Sequence, residues 1–410
     1  MTTVSRIELY HVAYPLQSPF RPSWIPGYPQ TENRFDLLRV ITDDGIEGWS
    51  AGPALGRERG GLGELLSQYM IGLDATDIDL VQQRLREMSY LGLRNHWIEP
   101  AFWDIKAKLA GVPVYRLLGA EGGRIRLYAS TGEVRSPQAR VEEAEARYQE
   151  GFRAIKLRVH DFDESADLAQ VEAVVAAVGD RMKVAVDANQ AWRVTTIADA
   201  PLWDLARAKR FADACADLGV AWLEEPLPMD AYDDLAELTR HSRIPIAGGE
   251  LHTGGLPELR MMIERRCYSY FQPDAVFTGG IAQTLEVIRL CRAAGLSYTP
   301  HTWTNGIGFA VNLQLMAVGG DRAHGLLEYP INPPSWTVPA RDAILTTPWT
   351  HQGGELELPT APGLGFDIDH QALRRHGTRF ASAGKFSVAV KAIREKGFRT
   401  ALEINKARRS

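Results

Sequence analysis

From Arg126 onward the sequence alternates short apolar runs with amphipathic stretches, and this alternation restricts the fold more than any other feature. Strands that alternate with helices predict a parallel sheet, and eight such strands can close into a barrel. The candidate strands are Arg126–Ser130, Ala154–Val159, Lys183–Val186, Ala221–Leu223, Pro245–Ala247, Tyr270–Gln272, Leu296–Thr299 and Gly325–Leu327. The helical stretches between them include Ser136–Glu150, Glu164–Val178, Ala206–Leu218, Ala231–Ser242 and Ile281–Ala294. An open doubly wound sheet is the competing α/β fold, but no GxGxxG phosphate loop follows an early strand.

The residues before this alternation predict a smaller α+β domain. Arg6–Val12 and Leu37–Ile41 alternate like strands, and residues 43–45, Asp-Asp-Gly, form a hairpin turn signal. The segment 18–31 between the strands is rich in proline, glycine and aromatic residues, which predicts a long loop. Helical patterns follow at Leu62–Met70, Asp77–Met88 and Pro100–Ala110.

The chain has 410 residues, whereas a (β/α)8 barrel alone takes roughly 250, so a second unit is expected. We assign residues 1–125 to the first domain and 126–338 to the barrel. Residues 339–376 are rich in glycine and proline and are expected to pack back on the first domain. Residues 377–410 are basic and polar, and we expect a surface helix and a frayed end there.

Composition restricts the possible partners and location. The net charge is −5, with 45% hydrophobic and 24% charged residues, which offers no electrostatic basis for binding nucleic acid or an anionic membrane. The three cysteines, Cys215, Cys267 and Cys291, are too few and too widely spaced for a disulfide framework or a CxxC metal site. The first residues do not form a signal peptide, and no apolar run approaches ~18 residues. We therefore expect a cytoplasmic protein.

Acidic residues follow three consecutive strands of the predicted barrel. Asp187 ends the third strand, Glu224 the fourth, and Glu250 follows the fifth. The carboxyl ends of barrel strands meet at one face, where barrel enzymes carry their active sites, so these carboxylates should converge. Their mutual repulsion would be relieved by a hard divalent cation, and Mg²⁺ prefers oxygen ligands. The sequence therefore predicts a Mg²⁺ site.

Basic residues accompany the predicted cluster. Lys156 and Arg158 lie two apart on the second strand, so both side chains point to the same side, which we expect to be the barrel interior. There they could bind a substrate carboxylate or take part in proton transfer. The sixth and seventh strands end near Asp274 and His301, which would pair a carboxylate with an imidazole, the arrangement of a general base. Glu328 ends the eighth strand.

These residues resemble the enolase superfamily, in the mandelate racemase group. The matching pieces run in order from Phe102 to Tyr329. They are the helix Trp103-Asp104-Ile105-Lys106 to Arg116-Leu117-Leu118-Gly119, Asp187-Ala188-Asn189-Gln190-Ala191-Trp192, Leu223-Glu224-Glu225-Pro226, Gly248-Gly249-Glu250, Pro273-Asp274-Ala275 with Gly279-Gly280, and His301 with Glu328. The resemblance implies a (β/α)8-type barrel in its modified (β/α)7β form, with an N-terminal α+β capping domain.

The resemblance also implies a first chemical step. A carboxylate substrate binds Mg²⁺, a base removes its α-proton, and the metal stabilises the resulting enediolate. In this scheme Asp187, Glu224 and Glu250 hold the metal. The acid–base and carboxylate-binding roles fall to Lys156, Asp274, His301 and Glu328. A small hydroxy acid is the expected ligand, and a homo-oligomer is the expected assembly.

Arg158 departs from the family pattern, in which group members often carry Lys-x-Lys on the second strand. A guanidinium is protonated at neutral pH, which leaves His301 as a base on one face of the α-carbon only. We therefore predict a dehydratase of an aldonate or aldarate that forms a 2-keto-3-deoxy acid, although Arg158 could act as a base if its pKa were strongly depressed. The alternatives are a racemase or epimerase of a 2-hydroxy acid and, more remotely, a non-catalytic ligand-binding barrel. Muconate-type cycloisomerases resemble the chain less, because they typically carry lysine where Asp274 stands.

Substrate selection in the family falls to the loop of the first domain and to the barrel loops. The loop 18–31 carries one cation and two flat side chains that would suit a polyhydroxylated acid. Further candidates lie at the ends of the first, third and fifth strands. The complete set of predicted substrate-binding residues is Arg21, Trp24, Tyr28, Ser130, Asn189 and His252.

Overall fold

The computed structural model describes residues 2–54, 61–90, 94–320 and 325–407. The strands are β1 (Val4–Phe20), β2 (Gln30–Thr42), β3 (Glu47–Pro53), β4 (Arg124–Ser130), β5 (Ala154–Arg158), β6 (Lys183–Asp187), β7 (Leu223–Glu224), β8 (Ile246–Gly248), β9 (Tyr270–Phe271), β10 (Ser297–Tyr298), β11 (Leu326–Pro330), β12 (Glu355–Glu357) and β13 (Gly377–Gly384). The helices are α1 (Leu62–Met70), α2 (Ile78–Ser89), α3 (Pro100–Ala110), α4 (Val114–Leu117), α5 (Pro137–Gln149), α6 (Glu164–Val178), α7 (Leu205–Asp217), α8 (Tyr232–His241), α9 (Leu256–Arg265), α10 (Ala275–Thr278), α11 (Gly280–Ala294), α12 (Gly306–Gly319), α13 (Val338–Arg341), α14 (His370–His376), α15 (Lys385–Lys396) and α16 (Phe398–Ala407).

The first domain is an antiparallel sheet covered by helices. The strand order is β13-β1-β2-β3, and β2 and β3 form the predicted hairpin. Its turn contains Gly45 at φ 84°, a left-handed conformation that glycine adopts without steric cost. Val4, Ile7 and Leu9 of β1 are buried in one apolar cluster with residues of α1, α2 and α3. This cluster joins the sheet to its helical cover.

Strand β1 extends further than the sequence predicts. We expected a long loop over 18–31, but β1 continues to Phe20 and β2 begins at Gln30, so the loop covers only 21–29. Beyond Val12, β1 pairs only with β2, and the register shifts between Pro15 and Phe20. Proline has no backbone N–H to donate, so a strand with two prolines gives a weak sequence signal.

The second domain is a barrel of parallel strands. Each of the eight predicted strands overlaps an observed strand from β4 to β11. The order is β10-β9-β8-β7-β6-β5-β4-β11, so the last strand lies beside the first. A hydrogen bond of 3.0 Å from Thr299 Oγ1 to the carbonyl of Leu326 joins the β10 side to β11. The fold class is therefore an N-terminal capping domain followed by a barrel, as expected.

The C-terminal residues differ in part from the prediction. Strand β12 pairs antiparallel with β4 of the barrel, whereas the isolated bridge between Pro113 and Gly363 joins the segment to the first domain. The predicted frayed end is wrong for 377–384, because this stretch is strand β13 of the capping sheet. Two further helices, α15 and α16, follow it. Within the described ranges, no helix is long and apolar enough to cross a membrane.

Candidate active site

Three acidic side chains come together at the carboxyl ends of neighbouring strands. Asp187 is the last residue of β6 and Glu224 the last of β7, and these two are partners in the parallel register. Glu250 follows the end of β8 by two residues. All three are buried, with exposed fractions of 0%, 1% and 5%. Buried carboxylates at adjacent strand ends require compensating positive charge.

Two buried cations from β5 supply positive charge in the structure. Lys156 Nζ contacts Glu224, and it lies 2.8 Å from Glu328 Oε1 and 3.4 Å from Asp187 Oδ2. Arg158 pairs with Asp187, and its Nε donates to the carbonyl of Thr131 at 2.7 Å. Both cations therefore point into the barrel mouth, in agreement with their spacing in the sequence.

The charges of the cluster shift one another's pKa values. Burial raises the pKa of Asp187 to about 7, although Arg158 opposes the shift. Burial would also raise the pKa values of Glu224 and Glu328, but the nearby cations, Lys156 before Arg158, together outweigh it. The pKa of Glu224 lies below its usual value, and that of Glu328 falls to about 2. Attraction to the carboxylates of Glu224 and Glu328 raises the pKa of Lys156 well above normal despite burial.

His301 and Asp274 form the predicted pair. His301 Nδ1 lies 3.0 Å from Asp274 Oδ2, and its Nε2 lies 3.2 Å from Glu250 Oε2. The other oxygen of Asp274 accepts a hydrogen bond of 2.7 Å from Asn312 Nδ2 of α12. Burial alone would lower the pKa of His301, but Glu250, Glu328 and Asp274 together raise it to about 9. Asp274 thus holds the ring with Nε2 facing the acidic cluster.

Hydrogen bonds fix the orientation of the acidic side chains. Glu328 accepts from Ser130 Oγ at 2.8 Å and from the backbone N–H of Thr302 at 2.7 Å. Gln272 Nε2 donates to Glu224 at 2.9 Å, and Trp192 Nε1 donates to Glu250 at 2.8 Å. Hydrogen bonds that orient carboxylates in this way are common around metal-binding sites.

The donor atoms suit a hard divalent cation. The three strand-end residues offer only carboxylate oxygens, the ligands that Mg²⁺ prefers. In the described part of the chain, no three His, Cys, Asp or Glu side chains form a ready-made metal site, because the lysine, the arginine and the imidazole occupy carboxylate oxygens. Asp187, Glu224 and Glu250 would have to turn toward one point, which their shared strand-end position allows.

The sequence matches two family descriptions in the same order as the domains. Residues 7–119 match the mandelate racemase/muconate lactonizing enzyme N-terminal domain. Residues 139–372, more than half of the chain, match the enolase C-terminal domain-like family.

The chain belongs to the enolase superfamily, in its mandelate racemase/muconate lactonizing enzyme group.

Relatives in this superfamily include enzymes that act on sugar acids. The chain is 28% identical to a D-galactarolactone cycloisomerase of Agrobacterium fabrum over 90% of this chain and 97% of that protein. It is 29% identical to an L-talarate/galactarate dehydratase of Salmonella typhimurium over 84% and 83% of the two chains. An L-talarate dehydratase structure from Polaromonas, complexed with Mg and L-glucarate, has a TM-score of 0.80 and 25% identity, covering 94% of this chain and 100% of that one.

A cavity of about 630 Å³ opens beside the acidic cluster of this enolase-superfamily chain. Residues of β1, β2 and the loop between them form one side, and residues that follow β10 and β11 form the other. The loop also contacts the barrel directly, because Ser23 Oγ donates to Asn189 Oδ1 at 2.6 Å. The capping domain therefore closes the mouth of the barrel over the charged cluster.

The predicted substrate residues divide into two groups. Trp24 and Tyr28 line the cavity, whereas Ser130 and Asn189 are buried beside it, in contact with Glu328 and Arg158. The other two make contacts elsewhere, and their role in substrate binding stays a prediction. Arg21 does not line the cavity, and its backbone N–H donates to Glu133 at 2.8 Å. His252 turns to Glu258 of α9, with Nδ1 2.8 Å from Oε1.

Sequence reasoning missed two tryptophans that line the cavity. Trp303 follows His301 by two residues, and its Nε1 donates to Ser130 Oγ at 2.7 Å. The strand-end rule that selected His301 applies equally to Trp303 and could have found it. Trp336 lies after β11 in an irregular segment, where no sequence period marks a site residue. Its position in the cavity depends on the tertiary fold alone.

Proposed function

We propose that this chain is a Mg²⁺-dependent dehydratase of a sugar acid, with Asp187, Glu224 and Glu250 as the metal ligands. The observation that carries the proposal is the asymmetry of the cluster: one imidazole, from the β10 side, contacts Glu250, whereas two cations from β5 contact Asp187. When bound, Mg²⁺ would supply positive charge for the substrate carboxylate and for the charge that develops on it.

His301 is the proposed base. Its Nε2 faces the cluster, and Asp274 on Nδ1 fixes the tautomer in which Nε2 can accept a proton. With Glu250 committed to the metal, the imidazole would lose the largest of the charges that raise its pKa, which favours its neutral form. Nε2 takes the α-proton, the electron pair forms a carbon–carbon double bond, and the β-hydroxyl leaves. The same imidazolium returns its proton to that hydroxyl, which departs as water. The enol product then tautomerises to the 2-keto-3-deoxy acid, and His301 is neutral again.

Arg158 is the proposed reason that the reaction is an elimination. A racemase needs a base on each face of the α-carbon. The guanidinium of Arg158 does not deprotonate in proteins, and its donors are committed to Asp187 and to the carbonyl of Thr131. It is therefore a binding and charge-stabilising group in this scheme. Lys156, beside Glu328, is the proposed partner of the substrate carboxylate.

The relatives support the substrate class. Dehydratases of galactarate, xylonate, arabinonate and galactonate occur among them at 27–29% identity. These activities belong to those proteins, and identity at this level does not transfer the substrate. It favours testing sugar acids first.

The test is incubation of the Mg²⁺-loaded protein with a library of aldonic and aldaric acids, followed by an assay for 2-keto-3-deoxy products. We expect at least one acid to react, and chelation of the metal to abolish the reaction. The variant His301→Asn should lose turnover by about 10³-fold or more while it keeps its melting temperature. If no acid reacts although the protein binds Mg²⁺, the dehydratase proposal fails.

Deuterium exchange separates the dehydratase from a racemase. In D₂O, exchange at the α-carbon with recovery of both configurations, and without water loss, would favour a racemase or epimerase. We expect recovered substrate to keep its configuration. Unchanged turnover in an Asp187→Asn, Glu224→Gln double variant would refute the metal assignment.

A further inference from the structure

An aromatic wall forms the side of the cavity that adjoins the acidic cluster. Phe20 stacks on Trp303 with 5.5 Å between centroids and 4° between planes. Trp24 meets Trp303 edge-on at 5.2 Å, and Trp336 lies 5.5 Å from both Phe20 and Trp303. Such rings offer flat, apolar faces that pack on the C–H groups of a sugar chain.

The wall is anchored to the reaction site. The guanidinium of Arg158 lies over the rings of Trp24 and Trp303, at 5.2 and 5.7 Å from their centroids. Trp303 also donates to Ser130, which in turn donates to Glu328. A substrate whose carboxylate lies at the cluster would therefore extend its other end along the wall.

The charges that line the cavity are already paired. Within the described ranges, the acidic and basic lining residues are His11, Glu32 and Arg34. Arg34 binds Glu32 through Nε at 2.8 Å and Nη2 at 2.5 Å, and His11 Nδ1 lies 3.0 Å from Asp36 Oδ1. Among the residues that the structure describes, a second carboxylate in this cavity would therefore meet no unpaired cation to offset its lost hydration.

One neutral donor in the wall lacks a partner. Trp336 is 6% exposed, and its Nε1 has no hydrogen-bond acceptor among the described residues. A buried donor without a partner costs free energy, so a ligand oxygen that accepts from it is favoured. A single indole N–H suits a hydroxyl but does not compensate a full negative charge.

We propose that this cavity binds the distal end of a sugar mono-acid and excludes the second carboxylate of a diacid, with Trp24, Trp303 and Trp336 as the selecting residues. The proposal rests on the proposed function, because it takes the acidic cluster as the place where the first carboxylate binds. The substrates are therefore aldonic acids, whose distal end is a neutral hydroxymethyl or methyl group.

The test uses matched acids that share the configuration from C2 to C5 and differ only at C6, as hydroxymethyl, methyl or carboxylate. For the Mg²⁺-loaded protein we expect kcat/KM for each neutral-ended acid to exceed that for its diacid partner by about 100-fold or more. Equal or faster turnover of the diacids would overturn the inference and leave the dehydratase proposal intact.

Two variants test the residues. Trp336→Phe keeps the flat face and removes the donor, so kcat/KM should fall about 10-fold for the hydroxymethyl acid and less for its 6-deoxy partner.

Tyr28→Arg places a cation at the exposed rim and should raise diacid turnover about 10-fold, whereas Tyr28→Gln should not. Equal effects of Trp336→Phe on both acids, or of the two Tyr28 variants on the diacid, would contradict the assignment.

Binding of the same acids to the Mg²⁺-loaded His301→Asn variant, measured by calorimetry, reads the preference without turnover. Tighter binding of neutral-ended acids supports the inference even if none is dehydrated, in which case only the dehydratase proposal fails.

Arg57 and Arg59, near Ala54 in the sequence, lie outside the described residues. A diacid preference that Arg57→Ala with Arg59→Ala abolishes would assign the second carboxylate to them and overturn the proposal.

Discussion

At the scale of single residues, Arg158 is held by three kinds of contact. It pairs with Asp187, donates to the carbonyl of Thr131, and lies over Trp24 and Trp303. The planar guanidinium makes the ion pair, the hydrogen bond and the ring contacts at the same time. A lysine ammonium can form the ion pair, but it has neither the several N–H donors in one plane nor a flat face that stacks on a ring. Its identity therefore matters beyond its charge.

We predict that Arg158→Lys lowers kcat/KM by about 10–100-fold, since it loses the stacking and the hydrogen bond to Thr131. Steady-state kinetics with the best acid of the library measures the effect. Arg153→Lys is the matched control, because Arg153 is exposed and precedes the same strand. Equal loss in both variants would mean that the cluster does not depend on the guanidinium.

A buried histidine outside the site should make stability depend on pH. Burial, with Arg94 nearby, lowers the pKa of His96 to about 4. The unfolded chain binds this proton near pH 6.5, so stability is complete above that value and is lost as pH falls toward 4. The loss reaches up to about 3 kcal/mol.

Urea unfolding between pH 7 and pH 4 measures this effect. His96→Gln should show a smaller loss of stability over that range than the parent protein. His241→Gln, on the exposed surface, should follow the parent. If the His96 variant and the parent lose stability equally, the histidine is not the titrating group.

At the scale of elements, a residue of the capping domain caps a helix of the barrel. The buried carboxylate of Glu99 accepts from the N–H of Ile281 at 2.6 Å and of Ala282 at 3.0 Å, at the start of α11. It also accepts from Trp103 at 2.8 Å. A negative charge there satisfies free N–H groups and favours the helix dipole.

We predict that Glu99→Ala destabilises the protein by about 1–3 kcal/mol, because buried N–H groups lose their acceptor. Glu99→Gln keeps an acceptor oxygen and should cost less. Denaturant unfolding measures both. A loss as large for glutamine as for alanine would show that the charge, rather than the hydrogen bonds, stabilises the junction.

The periodic spacing of apolar residues in the sequence predicts some helices well and others not at all. Helices α1 and α3 were predicted with their observed bounds, because apolar residues recur on one face and glycine follows α3. Helix α12 is buried on all sides from Gly306 to Met316, so no amphipathic pattern marks it. Asn312, which positions Asp274, lies on this helix and was missed for the same reason.

At the scale of the whole molecule, the two ends of the chain share one sheet. Strand β13 pairs with β1 along Arg6 to Val12, and Arg379 lies 3.0 Å from Glu8. Without β13, the edge of β1 would expose unpaired backbone groups and the apolar surface beneath Ala381. The C-terminal strand is therefore part of the capping domain.

We predict that a chain ending at residue 376 melts about 5 °C or more below the full chain, because it loses this strand. A chain ending at residue 384 keeps β13 and loses α15 and α16, which contain no buried residues among those described. Its melting temperature should stay close to that of the full chain. Thermal unfolding compares the three. Equal melting of both truncated chains would contradict a stabilising role for β13.

The sequence alone determined the barrel and the chemistry of its strand ends, because both depend on local periods and on the rule that parallel strands end at one face. Asp187, Glu224, Lys156, Asp274 and His301 could be named for that reason. The place of Trp336 in the aromatic wall and the pairing of the C-terminal strand were decided only by the tertiary structure. Trp336 and Gly377–Gly384 meet their partners across more than 300 residues of chain, and no local pattern specifies contacts at that separation.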